Sequence, residues 1–106
     1  MSDIREMSEE VRVRLLTLRG CDYCEWLKSE LGAAGITYVN IDADMFSKFA
    51  DEIEEKFKTN HYPITFIDLG SKVVTIVPET SLDTTDTLRT FNTIPELVGI
   101  IKSYMK

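Results

Sequence analysis

The chain is poor in the residues from which most metal and hydrolytic sites are built. Its 106 residues include one histidine, His61, and two cysteines, Cys21 and Cys24. A structural zinc ion takes four protein ligands, and these three residues leave such a site short of donors. Long apolar runs are missing too, so no stretch is suited to span a bilayer. Clusters of Lys and Arg are absent, and 12 basic residues face 18 acidic ones for a net charge of −6. That balance excludes non-specific binding to nucleic acid or to an anionic membrane. The first ten residues hold Asp3, Glu6, Glu9 and Glu10 and no apolar core. No secretion signal is expected there, and cytoplasmic residence is the default expectation.

What is present fits one globular domain. Apolar residues make up 43% and charged residues 28% of the chain, ordinary values for a folded protein with one modest core. Residues 1–10 read as a polar extension and 11–106 as a single domain. Val11 to Leu18 is rich in Val and Leu and predicts a strand, its continuous second half suggesting burial on both faces. Cys24, Leu27, Leu31 and Ala34 then repeat at helical spacing, with Asp22 and Glu25 placed as a capping box and Gly35 as the stop. Ile36 to Ile41 predicts a second strand. Phe46, Phe49, Ala50, Ile53 and Phe57 mark a second helix, whose aromatic stripe is expected in the core and whose acidic side, Asp51 to Glu55, is expected in water.

Ile64 to Asp68 and Lys72 to Val77 predict a hairpin around Leu69-Gly70-Ser71. Thr93-Ile94-Pro95-Glu96 opens a last helix with an N-cap, an early proline and a glutamate three residues on. The order β-α-β-α-β-β-α forces a parallel crossover followed by antiparallel strands. The fold class is therefore α/β, a three-layer α/β/α sandwich on a mixed four-stranded sheet. Pro78 to Thr90, rich in Thr and Asp, reads as a loop long for so small a domain, and therefore as either functional or mobile.

The chemistry sits between the first strand and the first helix. A thiol at a helix N-terminus is eased toward thiolate by free backbone N–H groups and the helix dipole. Cys21, nearest the helix end, is the candidate nucleophile, and Cys24, one turn on, is the candidate resolving thiol. Arg19 either adds positive charge beside Cys21 or is a solvated strand end. Trp26, one turn past Cys21, reads as a partly exposed packing residue or as part of a partner surface, and His61 as an exposed loop residue or as a group that steers Cys21's protonation. Tyr62-Pro63 opens the later strand, a position where proline costs no ladder hydrogen bond.

With Cys21-Asp22-Tyr23-Cys24 and Tyr62-Pro63-Ile64-Thr65-Phe66-Ile67 in view, the chain from Val11 to Met105 resembles the glutaredoxins. That resemblance implies a thioredoxin-like fold, a cis peptide bond before Pro63, and glutathione-linked reduction of protein disulfides or glutathione mixed disulfides. It implies no bound cofactor, with glutathione as co-substrate, and a monomer whose protein partners carry disulfides, ribonucleotide reductase among them. It further implies that Arg19, Tyr23, Tyr62 and Pro63 line the glutathione groove. Thr93, at the start of the last helix, stands in for a family Gly-Gly pair that is missing here. Asp22 also replaces the family's proline. Two alternatives stay open: a disulfide reductase of the same fold recharged by thioredoxin reductase, and a redox-inert interaction module.

Overall fold

The computed structural model describes residues 12–105. The expected extension over 1–10, and Val11 at the expected start of the first strand, lie outside the described residues. Strand β1, Val13–Thr17, is central because Val13, Leu15, Leu16 and Thr17 are all buried. It pairs in parallel with β2, Tyr38–Asp42, and antiparallel with β3, Ile64–Asp68. Strand β4, Val73–Val77, runs antiparallel to β3. The turn between them uses Gly70 at φ 87°, with its N–H donating to Asp68 Oδ1 at 2.8 Å.

The sheet carries one strand more than the sequence predicts. Leu88–Thr90 forms β5, parallel to β4, so the order is β2-β1-β3-β4-β5. The Thr- and Asp-rich stretch is thus not wholly a loop. The miss is physical: only Leu88 of these three residues is buried, which leaves no alternation to read.

Helix α1, Asp22–Ala33, and helix α3, Ile94–Tyr104, cover one face of the sheet. Leu27 and Leu31 meet Ile94, Leu97, Val98 and Ile101 over Val13, Leu15, Ile67, Val74 and Ile76. Burying each such side chain stabilises the fold by roughly 1.5–3 kcal/mol. Gly35, at φ 73°, follows the end of α1, where a left-handed residue closes a helix cheaply. Helix α2, Ser47–Phe57, covers the other face, over Leu16, Ile64, Phe66 and Val77.

The aromatic stripe of α2 departs from expectation. Phe46 lies just before the helix and, like Phe49, is exposed; Phe57 is only partly buried, and Ala50 is the one fully buried residue of α2. Phe49 keeps a tilted contact with Phe66, ring centroids 6.1 Å apart. The spacing correctly gave the face of the helix that turns to the sheet. A lone helix on that face leaves the outer part of the stripe without a neighbour.

Candidate active site

The end of β1 and the start of α1 are joined by four residues, and Gly20, at φ 74°, makes the bend. Cys21 is the N-cap of α1. Its sulfur accepts the backbone N–H of Cys24 at 3.1 Å, and its carbonyl accepts the N–H of Glu25 at 3.1 Å. This corrects the expectation of an Asp22–Glu25 capping box. The helix begins one residue earlier, Asp22 is its first residue, and the Glu25 carboxylate binds Lys28 Nζ at 3.1 Å instead. A sulfur in the capping position is aimed at the backbone N–H groups that stabilise a thiolate.

Cys21 and Cys24 are joined by a disulfide with their Cα atoms 5.2 Å apart. Cys21 is partly exposed, whereas Cys24 is fully buried. Cys24 shares a buried cluster with Tyr62, Leu16, Ala43 and Ile64, and Cys21 packs against its edge. The cluster thereby unites the segment that carries the cysteines with the segment that opens β3. The Tyr62–Pro63 peptide bond is cis and both residues are buried.

Tyr62 is held from below. Its hydroxyl donates to Glu54 Oε2 at 2.6 Å, reaching into α2. Loss of solvent and the adjoining Glu54 carboxylate both push the phenol above its ordinary range. Glu54 was expected on a solvated face, and no periodicity marks it out from Asp51 or Glu55. His61 is exposed, with Nε2 3.2 Å from Glu79 Oε2. The Thr80 hydroxyl donates to the carbonyl of Phe57, so the segment after β4 is tied to the end of α2.

The other predicted residues take distinct places. Arg19 stands two positions before Cys21, but its guanidinium is engaged: Nε lies 3.2 Å from Asp42 Oδ2 and 4.0 Å from Asp44 Oδ2. The Asp44 N–H, donating at 2.8 Å, and the Arg19 guanidinium hold the Asp42 carboxyl below its usual value. Tyr23 is exposed with its ring stacked on Trp26, centroids 6.5 Å apart. Trp26 is 44% exposed, its ring packed against that of Tyr23. Its position on α1 turns it away from the leucines that face the sheet. Thr93 caps α3 by accepting the Glu96 N–H at 3.2 Å, and the Glu96 carboxylate accepts the Asn92 N–H at 2.6 Å. The Glu96 side chain thus turns back to the residue before the cap, and the helix's own Glu96 N–H is taken by Thr93.

A glutaredoxin family model matches residues 13–70, from the start of β1 through the β3–β4 turn. The chain belongs to the glutaredoxin family. The thioredoxin-like arrangement implied by the sequence is the one its sheet order displays. A Bacillus subtilis (strain 168) protein named N-acetyl-S-hydroxy-L-cysteine reductase is 32% identical over 66 residues, covering 62% of this chain and 71% of its own. The solution structure of a glutaredoxin from Brucella melitensis is 31% identical, covers 61% of this chain and 68% of its own, and superposes with a TM-score of 0.47. The matched region includes the cysteine pair and Tyr62-Pro63, and it ends before the Pro78–Thr90 stretch.

Proposed function

We propose that this glutaredoxin-family protein is a glutathione-linked thiol–disulfide oxidoreductase in which Cys21 attacks and Cys24 resolves. The observation that carries the reading is the asymmetry of the pair. Cys21 is the accessible sulfur at the helix cap, and Cys24 is fully buried one turn behind it.

In the dithiol form the Cys21 thiolate attacks one sulfur of a substrate disulfide. A Cys21–substrate mixed disulfide forms and the other substrate sulfur leaves as a thiolate. Cys24, deprotonated, then attacks Cys21 Sγ, which releases the second substrate thiolate and forms the Cys21–Cys24 disulfide. Two glutathione thiols return the pair to the dithiol and leave as glutathione disulfide. Arg19, Tyr23, Tyr62, Pro63 and Thr93 are the proposed glutathione contacts, and protein disulfides, that of ribonucleotide reductase included, are the proposed substrates. The name of the Bacillus relative supports a further substrate class, an S-hydroxylated cysteine. There Cys21 would displace water to give the same mixed disulfide.

The engagement of Arg19 by Asp42 and Asp44 supports a second reading, in which thioredoxin reductase rather than glutathione recharges the pair. Parallel coupled assays decide between them, one with glutathione, glutathione reductase and NADPH, the other with thioredoxin reductase and NADPH. Cys21→Ser abolishes turnover with every substrate in the proposed mechanism. Cys24→Ser retains reduction of glutathione mixed disulfides, which needs one thiol, and loses reduction of protein disulfides. Activity that survives Cys21→Ser overturns the mechanism.

A further inference from the structure

We propose that the rim around Cys21 is a docking surface for an extended cationic peptide segment with apolar side chains, carried by a protein substrate. This inference rests on the thiol–disulfide reading and names the substrate class at that same site.

Two pairs of apolar side chains flank the disulfide. Tyr23 and Trp26 stand on the outer side of α1, 61% and 44% exposed, and neither belongs to a buried cluster. Their rings are nearly parallel, with an interplanar angle of 22°. Large aromatic rings held at the surface are the side chains that most often carry binding energy when covered. Met45 and Phe46, 70% and 54% exposed, lie on the segment between β2 and α2. That segment is fastened to the end of β1 by the Ala43 N–H on the Thr17 carbonyl at 2.8 Å, and to Arg19 by the Asp42 and Asp44 carboxylates. An occupant that covers both pairs must reach from α1 to the segment between β2 and α2, as an extended peptide chain does.

The charge selects the sign of that peptide. Beside Cys21, Arg19 is paired with both Asp42 and Asp44, Asp22 is the first residue of α1, and further along that helix Lys28 is paired with Glu25. Both cations are engaged by carboxylates, so an incoming peptide cation meets surplus negative charge. A separate cleft of about 670 Å³ beside the segment before Pro63 carries charge of the same sign, with Asp51, Glu54, Glu55 and Glu79 against Lys58. Charges arranged this way act mainly on the rate of encounter, and salt screens them.

The test uses the full chain, pre-reduced and mixed in single turnover with three disulfides, following the loss of protein thiols. The first is a disulfide peptide flanked by Lys and Leu, the second the same peptide with Glu for Lys, and the third the small neutral hydroxyethyl disulfide. The Lys peptide is expected to react about tenfold faster than the Glu peptide at low salt, with the two rates converging at high salt. Asp22→Asn with Asp44→Asn narrows that gap, and Trp26→Ala lowers the ratio of the Lys peptide's rate to that of hydroxyethyl disulfide. Equal rates for the two peptides, or a preference unmoved by salt, overturn the docking surface while leaving the chemistry standing. A pre-reduced protein that reacts with none of the three overturns both.

Discussion

The two faces of the sheet are built to different standards. Under α1 and α3 the core is closed: Leu27, Leu31, Leu97 and Ile101 have no exposed surface, and Ile94 only 1%. Under α2 one helix does the covering alone, Ala50 is its one fully buried residue, and Phe46 and Phe49 remain in contact with water. Yet Cys24 and Tyr62 belong to the cluster on the α2 side. Stability is thus concentrated on one face and the reactive pair is assigned to the other, which explains how a surface kept open for partners coexists with a small, firm fold.

That division can be broken or sharpened by substitution. The largest effect is expected on the closed face. Leu97→Ala should destabilise the fold by about 2–5 kcal/mol, because it opens a cavity where the surroundings are dry and tightly packed. Phe49→Ala should cost less than about 1 kcal/mol despite removing more atoms, since that ring is already partly in water. Urea unfolding of both variants measures the difference, and equal losses would mean that the α2 face is as firm as the other.

Next in size is a gain. Thr65 is fully buried in β3, and its hydroxyl finds no hydrogen-bond partner among the described residues. Thr65→Val, which removes that hydroxyl, should raise stability by about 1 kcal/mol. A fall in the urea midpoint would show that the hydroxyl is satisfied after all.

The smallest is a slope with pH. The folded state keeps Tyr62 protonated above its ordinary titration range, through burial and the neighbouring Glu54. As the pH rises past about 10, the unfolded chain releases a proton that the folded chain retains, so stability falls. Below that range the contribution is fully present. Tyr62→Phe should flatten this alkaline decline in thermal melts, and an unchanged slope would assign it to another group.

Much of this was written in the sequence wherever one residue type has one physical outcome. Val11 to Leu18 reads as a strand because the unbroken half from Leu15 to Leu18 suits a doubly covered strand, which the structure forms over Val13–Thr17, and Thr93-Ile94-Pro95-Glu96 reads as a helix start because each residue has a fitting place there. The cysteine pair and Tyr62-Pro63 were visible as motifs. Periodicity, however, reports which way a side chain turns and not whether anything lies opposite, so Phe46 and Phe49 were placed too deep. Asp22 has the better capping chemistry than a cysteine, and only the backbone shows the helix starting early enough for Cys21 to take that role. Glu54 could not be told from its acidic neighbours because its partner, Tyr62, lies beyond the end of the helix.

The three residues of β5 also bear on how the molecule behaves in a crowd. Without them the sheet would end on Val73-Val74-Thr75-Ile76-Val77, five consecutive residues of strong strand preference with one side of the ladder open. Such an edge is a template on which other chains can add and aggregate. Leu88–Thr90 occupies the C-terminal part of that ladder, opposite Thr75 to Val77, and replaces it there with a shorter rim. At the middle of the new rim stands Arg89, whose guanidinium bonds the Tyr104 hydroxyl at 3.1 Å. A charge at that point disfavours a further strand, so trimming the insert is expected to raise the protein's tendency to aggregate, read by light scattering.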